Sequence, residues 1–499
     1  MLPLKDKDKP VVQKLLSAGC CARCVLRFCC VSVQAAYRQP QQETLKELHC
    51  FIGDTTDSGA AKSTEENKDE PAEDPPSKRP KLEPSLTGAE LDQGSTAEKL
   101  KDEESQVCVV CLGILQELCD KNQAIKIVEA VKGENYEFDT LVLSVSLPAQ
   151  LCVREHSCWL HVKTQLREKS IILGKDDVIQ VKEAFKWIMQ SLVAKELGGV
   201  AVVTKSPFEV GVEFTHPETD ADCHFLYVSN SSNIFTPGLF FLSHYPCPPI
   251  QTTTRCSAQD VQCLHTSVFV AGRYNKFCRS LPQTPWVIDG ERRMESSVEE
   301  LIATPIVSAF RAQGFNFSSS GREDVDVRTL GNGRPFAMEL LNPHRSRFNR
   351  VQMKQLQEKI KQIKVTHLYY HREAMSRMKE GEEEKTKSYT ALIWTQKPIC
   401  SEDITFIDGI KDLTLEQKTP LRVLHRRVLA VRPRVIHSMT TRFLDPHHFY
   451  LGLKTQAGTY IKEFVHGDFG RTKPNLCQLL KTETDILELD VEVGWKPLI

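Results

Sequence analysis

SSSGREDVDVRTLGNGR, residues 318–334, runs directly into PFAMELL, residues 335–341, and the reading of this stretch decides the fold. Its first seventeen residues hold two Asp, one Glu, three Arg and three Gly; the seven that follow are mostly apolar and alternate in character. Dense charge and glycine followed by alternation read as an irregular loop feeding a strand. Glycine lets a backbone approach a ligand closely, arginine clamps a phosphate or orients a carboxylate, and aspartate attacks carbon or moves protons. A solvated turn held by local Arg and Asp pairs has the same composition. So much charge beside a buried-looking strand is hard to explain by packing alone.

Within the stretch, Gly321-Arg322-Glu323-Asp324 resembles the Gly-Arg-x-Asp signature of pseudouridine synthases. Together with GRYNK (272–276), PQTPW (282–286) and GTYIKEFVHGD (458–468), it resembles the pseudouridine synthase ten family, archaeal and eukaryotic enzymes acting on the TΨC arm of tRNA. The resemblance spans most of the chain, is dense from Val261 to Glu492 and weak from Gly53 to Glu104. It implies an α/β (mixed α+β) protein in which residues 256–499 form a catalytic fold with a mixed, mostly antiparallel central sheet and a catalytic cleft. An N-terminal α/β accessory domain, THUMP-containing and RNA-binding, is implied over residues 1–52 and 105–255, with a zinc site.

The implied reaction is isomerisation of uridines 54 and 55 to pseudouridine. Asp324 holds the last place of the signature and is the implied nucleophile; Asp326 stands in the wrong register. The carboxylate attacks either the ribose anomeric carbon or the uracil ring, the glycosidic bond breaks, the base turns in its pocket, and carbon bonds to carbon. Nothing is oxidised and nothing leaves, so no cofactor is expected for the chemistry. The site needs an ionised Asp, a cation to hold it, an aromatic surface for the base and exclusion of water. The base must also leave its stack. Arg322 is a candidate to hold substrate, Tyr389 is implied to stack on the target base, and Tyr460 to pack beneath it or supply a hydroxyl. Lys462, the basic residue after Gly-Thr-Tyr-Ile, is the implied partner of Asp324, a point charge without the fork of an arginine.

Size and charge set the frame. The chain has 499 residues, enough for two or three domains, and a net charge of -1 from 64 basic and 65 acidic residues. An RNA surface must therefore come from local clustering. Eighteen cysteines after a charged start, MLPLKDKDKP, point to a reducing compartment with free or metal-bound thiols. The apolar patch Val25–Val33 is too short to span a bilayer. No membrane partner is expected, and a monomer is.

Cys21-Ala22-Arg23-Cys24 and Cys108-Val109-Val110-Cys111 each have the spacing that lets two sulfurs face one metal, and together, across 83 intervening residues, they make possible the four-thiolate zinc site that the resemblance implies. The other reading is buried small hydrophobes. Residues 53–104, rich in Asp, Glu, Lys, Ser, Pro and Thr, read as a disordered insertion. Within them Ser77-Lys78-Arg79-Pro80-Lys81-Leu82 resembles a basic nuclear-import signal, so nucleus and cytoplasm are the expected locations. Leu112, Leu115, Leu118 and Cys119 mark a helix face, Leu141 to Leu147 and Phe208 to Phe214 mark strands, and Val178, Val181, Phe185 and Ile188 mark a helix capped at Asp176 or Asp177. Tyr227–Tyr245 departs from the family's basic helical segment, and its Leu239–Leu242 is expected as an exposed apolar patch.

In the C-terminal half, Arg273, Lys276 and Arg279 stand at helical spacing beside Tyr274, a pattern for phosphate contact and base stacking or for a solvated helix face. Tyr389 lies in KSYTALIWT, a strand after the charged run Lys379–Lys387. LRVLHRRVLAVRPR (421–434) holds five Arg, one His and no acid, so Arg422, Arg426, Arg427, Arg432 and Arg434 are assigned to the phosphate backbone. His466, Asp468 and Arg471 read as loop anchors. A second function is an RNA-binding protein that acts without catalysis on structured RNA such as microRNA precursors. A zinc hydrolase or deaminase is disfavoured, because neither cysteine pair has a His or Glu at ligand spacing.

Overall fold

Alternating β-branched and aromatic residues build most of this chain's strands, and helices with apolar residues at three- and four-residue spacing cover them. The computed structural model describes residues 2–53, 106–165, 174, 177–228, 237–371, 386–425 and 427–493. The 53–104 insertion beyond Gly53, the basic hexapeptide 77–82, Asp176, Arg426 and most of Lys379–Lys387 lie outside them. The chain divides into two units: Met1–Ile125, Val145–Glu196 and Val212–Asp260 form the first, and Lys126–Ser144, Leu197–Gly211 and Val261–Ile499 the second.

In the first unit, the helix Val181–Glu196 buries Val181, Phe185 and Ile188 at the expected spacing. Helix Ala22–Phe28 carries Arg27, fully buried, whose Nε donates to Ile179 O at 2.6 Å and whose guanidinium pairs with Glu155. The strands Thr140–Ser146 and Phe208–Thr215, which the division of the chain splits after Ser144 and after Gly211, lie where alternation placed them. The helix expected over Leu112–Cys119 is instead a series of turns, because Leu112 and Gly113 take left-handed φ values of 49° and 88°. The expected patch Leu239–Leu242 divides: Phe241 is buried against the His156 ring, centroids 4.6 Å apart, while Leu242 stays exposed. Tyr245 is buried too, its hydroxyl donating to Asp222, which also pairs with Arg154 at 2.7 Å.

The second unit is organised by one ten-stranded sheet. Its strands are β1 (Val268–Lys276), β2 (Gly314–Ser319), β3 (Val327–Leu341), β4 (Lys364–His371), β5 (Lys387–Thr395), β6 (Lys411–Lys418), β7 (Val431–Asp445), β8 (His448–Thr455), β9 (Thr472–Lys473) and β10 (Thr484–Val493). Their order is β4-β1-β3-β10-β5-β8-β7-β6-β9, with β2 also on β3. Only the β3–β10 pairing is parallel among these. The sheet is thus mixed and mostly antiparallel, as the family resemblance implied.

β3 starts earlier than the sequence suggested, at Val327 rather than Pro335. Between Thr329 and Arg334 its register against β1 shifts, and Gly331 and Gly333 absorb the bulge with φ of 66° and 78°. A Cβ on Gly333 would lie 3.0 Å from Tyr274 O, so no larger residue fits there without backbone movement. Beyond the bulge, Phe336, Met338 and Leu340 point one way and pack under helix α1 (Val298–Phe310), which buries Val298, Ile302, Ile306 and Phe310. Ser297 caps α1 by accepting from Glu300 N. A second core forms where Ala391 and Ile393 of β5 meet Leu451 and Leu453 of β8 and Phe464 of the short helix α2 (Ile461–His466). The loop before β3 and the start of α2 lie beside this second core.

β1 corrects one expectation. The spacing of Arg273, Lys276 and Arg279 suggested a helix, but Arg273 and Lys276 are on a strand, 3 % and 0 % exposed. Arg273 Nη1 donates to Gly333 O at 3.0 Å, and Lys276 Nζ donates to the carbonyls of Leu281, Asp324 and Val325 at 2.8–3.0 Å. Arg279 pairs with Glu488 and Asp490. These cations therefore satisfy backbone and carboxylate groups inside the unit, and Arg273 and Lys276 have no surface to offer RNA.

Candidate active site

Gly321 opens the loop between β2 and β3 with φ 107°, and a Cβ there would sit 2.6 Å from Arg334 Nη1 and 2.7 Å from Lys387 Nζ. The next residues point to opposite sides. Glu323 turns inward, its side chain 1 % exposed, and pairs with the buried Arg334 at 2.7 Å. Tyr274 Oη donates to Glu323 at 2.7 Å, and Gln283 Nε2 donates to Tyr274 Oη at 2.8 Å and to Gly321 O at 2.9 Å. Asp324 turns outward, while its carbonyl is held from behind by Lys276. Burial pulls the Lys276 pKa down, with Glu323 foremost among the charges that oppose the shift. The loop is fixed on its inner face so that its outer face can present a carboxylate.

That carboxylate lines a cavity of about 590 Å³. Arg422, Arg427, Arg432, Arg434, Lys387, Lys462 and Arg322 also line it, against the carboxylates of Glu323 and Asp324, so the cavity is strongly cationic. Tyr389 from β5 and Tyr460 at the start of α2 supply aromatic surface. Burial raises the Tyr389 pKa, partly offset by Arg334, which keeps the hydroxyl neutral. The Tyr460 backbone is clamped by the buried Gln417 side chain, which accepts from Tyr460 N at 3.0 Å and donates to Tyr460 O at 2.9 Å. Among the described residues the buried Arg434 Nε has no hydrogen-bond partner.

The sequence paired Asp324 with Lys462; the structure puts another cation first. Arg422 Nη1 lies 2.6 Å from Asp324 Oδ2, whereas Lys462 Nζ is 3.8 Å away. Lys462 is closer to Asp326, at 2.6 Å and 2.8 Å, and this contact, working against burial, lowers the Asp326 pKa. Arg422, expected on the phosphate backbone, is aimed by Glu463, whose side chain is 2 % exposed and accepts from Arg422 Nε at 2.6 Å. The Arg422 guanidinium also lies 5.9 Å from the centre of the Tyr460 ring. Glu463 was missed in the sequence. The available signal was an acid one residue after Lys462 in α2, which turns it to the buried side of the helix.

The HGDFGRT turn anchors this arrangement, as its polar residues suggested: Asp468 Oδ2 accepts from Leu421 N at 3.3 Å, and Arg471 Nη2 donates to Thr419 O at 2.6 Å. In the first unit, the Sγ atoms of Cys21, Cys24, Cys108 and Cys111 all lie within 4.8 Å of one another and are buried. Four thiolates around a tetrahedral ion at about 2.3 Å stand about 3.8 Å apart, and Cys21 and Cys111 are 3.8 Å apart. Burial raises the pKa of Cys24 and Cys111. At Cys108 burial is overridden by thiol hydrogen bonds from Cys111, Cys21 and Cys24, which pull it well below the ordinary thiol value. The group fits a metal ion.

The mixed sheet with its cationic cleft spans residues that match the family model "Pus10, C-terminal" over 269–493, and "Eukaryotic Pus10, N-terminal" matches over 108–239. This enzyme is an RNA pseudouridine synthase, an isomerase. "tRNA pseudouridine synthase Pus10" of Mus musculus is 52% identical over 538 residues, and that of Homo sapiens 51% over 542, each covering 100% of both chains. The archaeal namesake from Thermofilum pendens is 30% identical over 399 residues, 78% of this chain and 76% of its own. The chain belongs to the Pus10 family.

Proposed function

We propose that this enzyme converts uridines 54 and 55 in the TΨC arm of tRNA to pseudouridine, with Asp324 as nucleophile. The observation that carries the reading is the Asp324 carboxylate, which faces the cavity and is held at 2.6 Å by Arg422. The target base leaves its stack and lies against Tyr389 in the cavity that Tyr460 and Arg422 also line. The carboxylate adds to the ribose C1′ or to uracil C6, and the N1–C1′ bond breaks. The base turns, C5 bonds to C1′, the bond to Asp324 breaks and frees the carboxylate, and the proton lost from C5 balances the one gained at N1. Arg422 and Lys462 hold the Asp324 carboxylate in place for the attack. Arg427, Arg432 and Arg434 hold the phosphates, with Arg322 at the rim. Arg426 is proposed alongside them from the sequence.

Nucleotide-resolution mapping of pseudouridine on unmodified tRNA incubated with the full chain tests this. Conversion at 54 and 55 supports it, and an unchanged TΨC arm overturns it. Within the site, Arg422→Lys should lower kcat about tenfold or more, because the fork that bridges Glu463 and Asp324 is lost. Lys462→Ala should cost less, since its closest contact is Asp326. A larger loss at Lys462 in single-turnover rates would restore it as the principal partner of Asp324.

The cysteine group is proposed to hold one structural Zn²⁺, and the first unit to help grip the RNA. A structural zinc adds its binding energy to folding. Purified protein should therefore carry one zinc per chain, and Cys108→Ser should release it and lower the unfolding temperature. Metal analysis that finds no zinc would reject the assignment.

A further inference from the structure

HGDFGRT, residues 466–472, carries an aromatic ring that the fold leaves in water. Phe469 is 95% exposed, more than any other large hydrophobic side chain among the described residues. Its backbone is also unusual. Gly467, Asp468, Phe469 and Gly470 have φ of 78°, 44°, 55° and 79°, four left-handed residues in succession, and no other run among the described residues exceeds two. This conformation crowds the Cβ of an L-residue, and phenylalanine has no polar group to offset it locally.

The turn is held nonetheless. A Cβ on Gly467 would come within 2.6 Å of the Asn475 amide nitrogen, and Asp468 N donates to His466 Nδ1 at 3.1 Å. The Asp468–Leu421 and Arg471–Thr419 hydrogen bonds tie it to the segment that carries Arg422. Arg432 also donates to Thr419, so cations flank the turn. Solvent exposure of a large ring and a left-handed phenylalanine each cost stability, and both are kept on a turn bonded to the segment that carries the cavity-lining Arg422. Costly local geometry of this kind clusters at binding sites, and a ring with neighbouring arginines suits a ligand that has a π face and a phosphate. Nucleotides have both.

We propose that Phe469 is a stacking platform for an unpaired base of the substrate RNA, outside the cavity that takes the target uridine. The proposal rests on reading that cavity as an RNA site. Stacking on a single ring tolerates any base, so Phe469 adds affinity and positions the strand without selecting sequence.

The test uses the full chain and a TΨC stem-loop RNA with 2-aminopurine placed in turn at each unpaired position. One position should be quenched by stacking in the wild type, and Phe469→Ala should abolish that quench. The same variant should raise KM about 5- to 150-fold, the worth of one base–aromatic stack, with kcat within about twofold. Phe469→Trp should restore both. Phe469→Gly, which suits the left-handed backbone, should behave as Ala does in RNA binding and unfold at an equal or higher temperature, separating the ring from the turn. Unchanged KM and quench in Phe469→Ala overturn the platform while normal conversion leaves the uridine reading intact. If the wild type converts no uridine, the quench alone still decides for or against the platform.

Discussion

Asp324→Ala should lose at least about 10⁴-fold in single-turnover conversion, the scale on which enzymes fall when a nucleophile is removed, while its affinity for tRNA stays at or above that of the wild type. The second half of this expectation follows from charge. Asp324 is an anion among the eight cations that line the cavity, the buried Arg334 included, so deleting it takes away repulsion against phosphate and frees Arg422. Stability should change little, because the Asp324 and Arg422 side chains are 29 % and 36 % exposed and a pair that open contributes about 0–1 kcal/mol. Conversion by pseudouridine mapping, together with filter binding at two salt concentrations, checks both halves. Retained conversion above about one part in a hundred would remove Asp324 from the chemistry. The same variant separates the enzyme from a binding role: processing of structured small-RNA precursors that Asp324→Ala still supports in cells would belong to RNA binding alone.

How much of this site could be read beforehand depended on whether a residue's partner was near it in the chain. Asp324, Tyr389, Tyr460 and Lys462 were found because short motifs place them, and all four line one cavity. The cysteine group was found because two-residue spacing is itself a geometric statement about sulfur atoms. Arg422 was misassigned because its acceptor Asp324 lies 98 residues away, and an arginine-rich segment reads as phosphate-binding until a carboxylate is seen beside it. Arg273 and Lys276 failed for the same reason. Their spacing of three fits a helix, while the alternation of Val268, Val270 and Tyr274 fits a strand, and the carbonyls that decide between them are mostly 48 to 60 residues distant. The early start of β3 was hidden because charged residues 328 and 334 are neutralised by Asp490 and Glu323, which no local window contains.

The residue beside Asp324 should matter most for folding. Glu323→Ala is expected to destabilise the second unit by about 3–5 kcal/mol, the cost of leaving one member of a buried ion pair alone. The Arg334 side chain is 4 % exposed, and after the substitution it would keep its charge with no carboxylate against it. Tyr274, fully buried, would lose the acceptor for its hydroxyl, and Gln283 would lose one of the groups it ties to the loop. At about 2–4 °C per kcal/mol for a unit of this size, the unfolding temperature should fall by roughly 6–20 °C. Replacing both charges, Glu323→Met with Arg334→Met, should recover part of the loss, because an apolar pair of similar volume does not leave a charge stranded. Activity should not recover with it. Both Met side chains lack the bonds that fix Gly321 to Asp326, and a displacement of about 1 Å at a reacting group costs about a hundredfold in rate. Thermal unfolding and single-turnover conversion measured on both variants check this. A Glu323→Ala protein within about 1 kcal/mol of wild type would show that the inner face of the loop is held by something other than this pair.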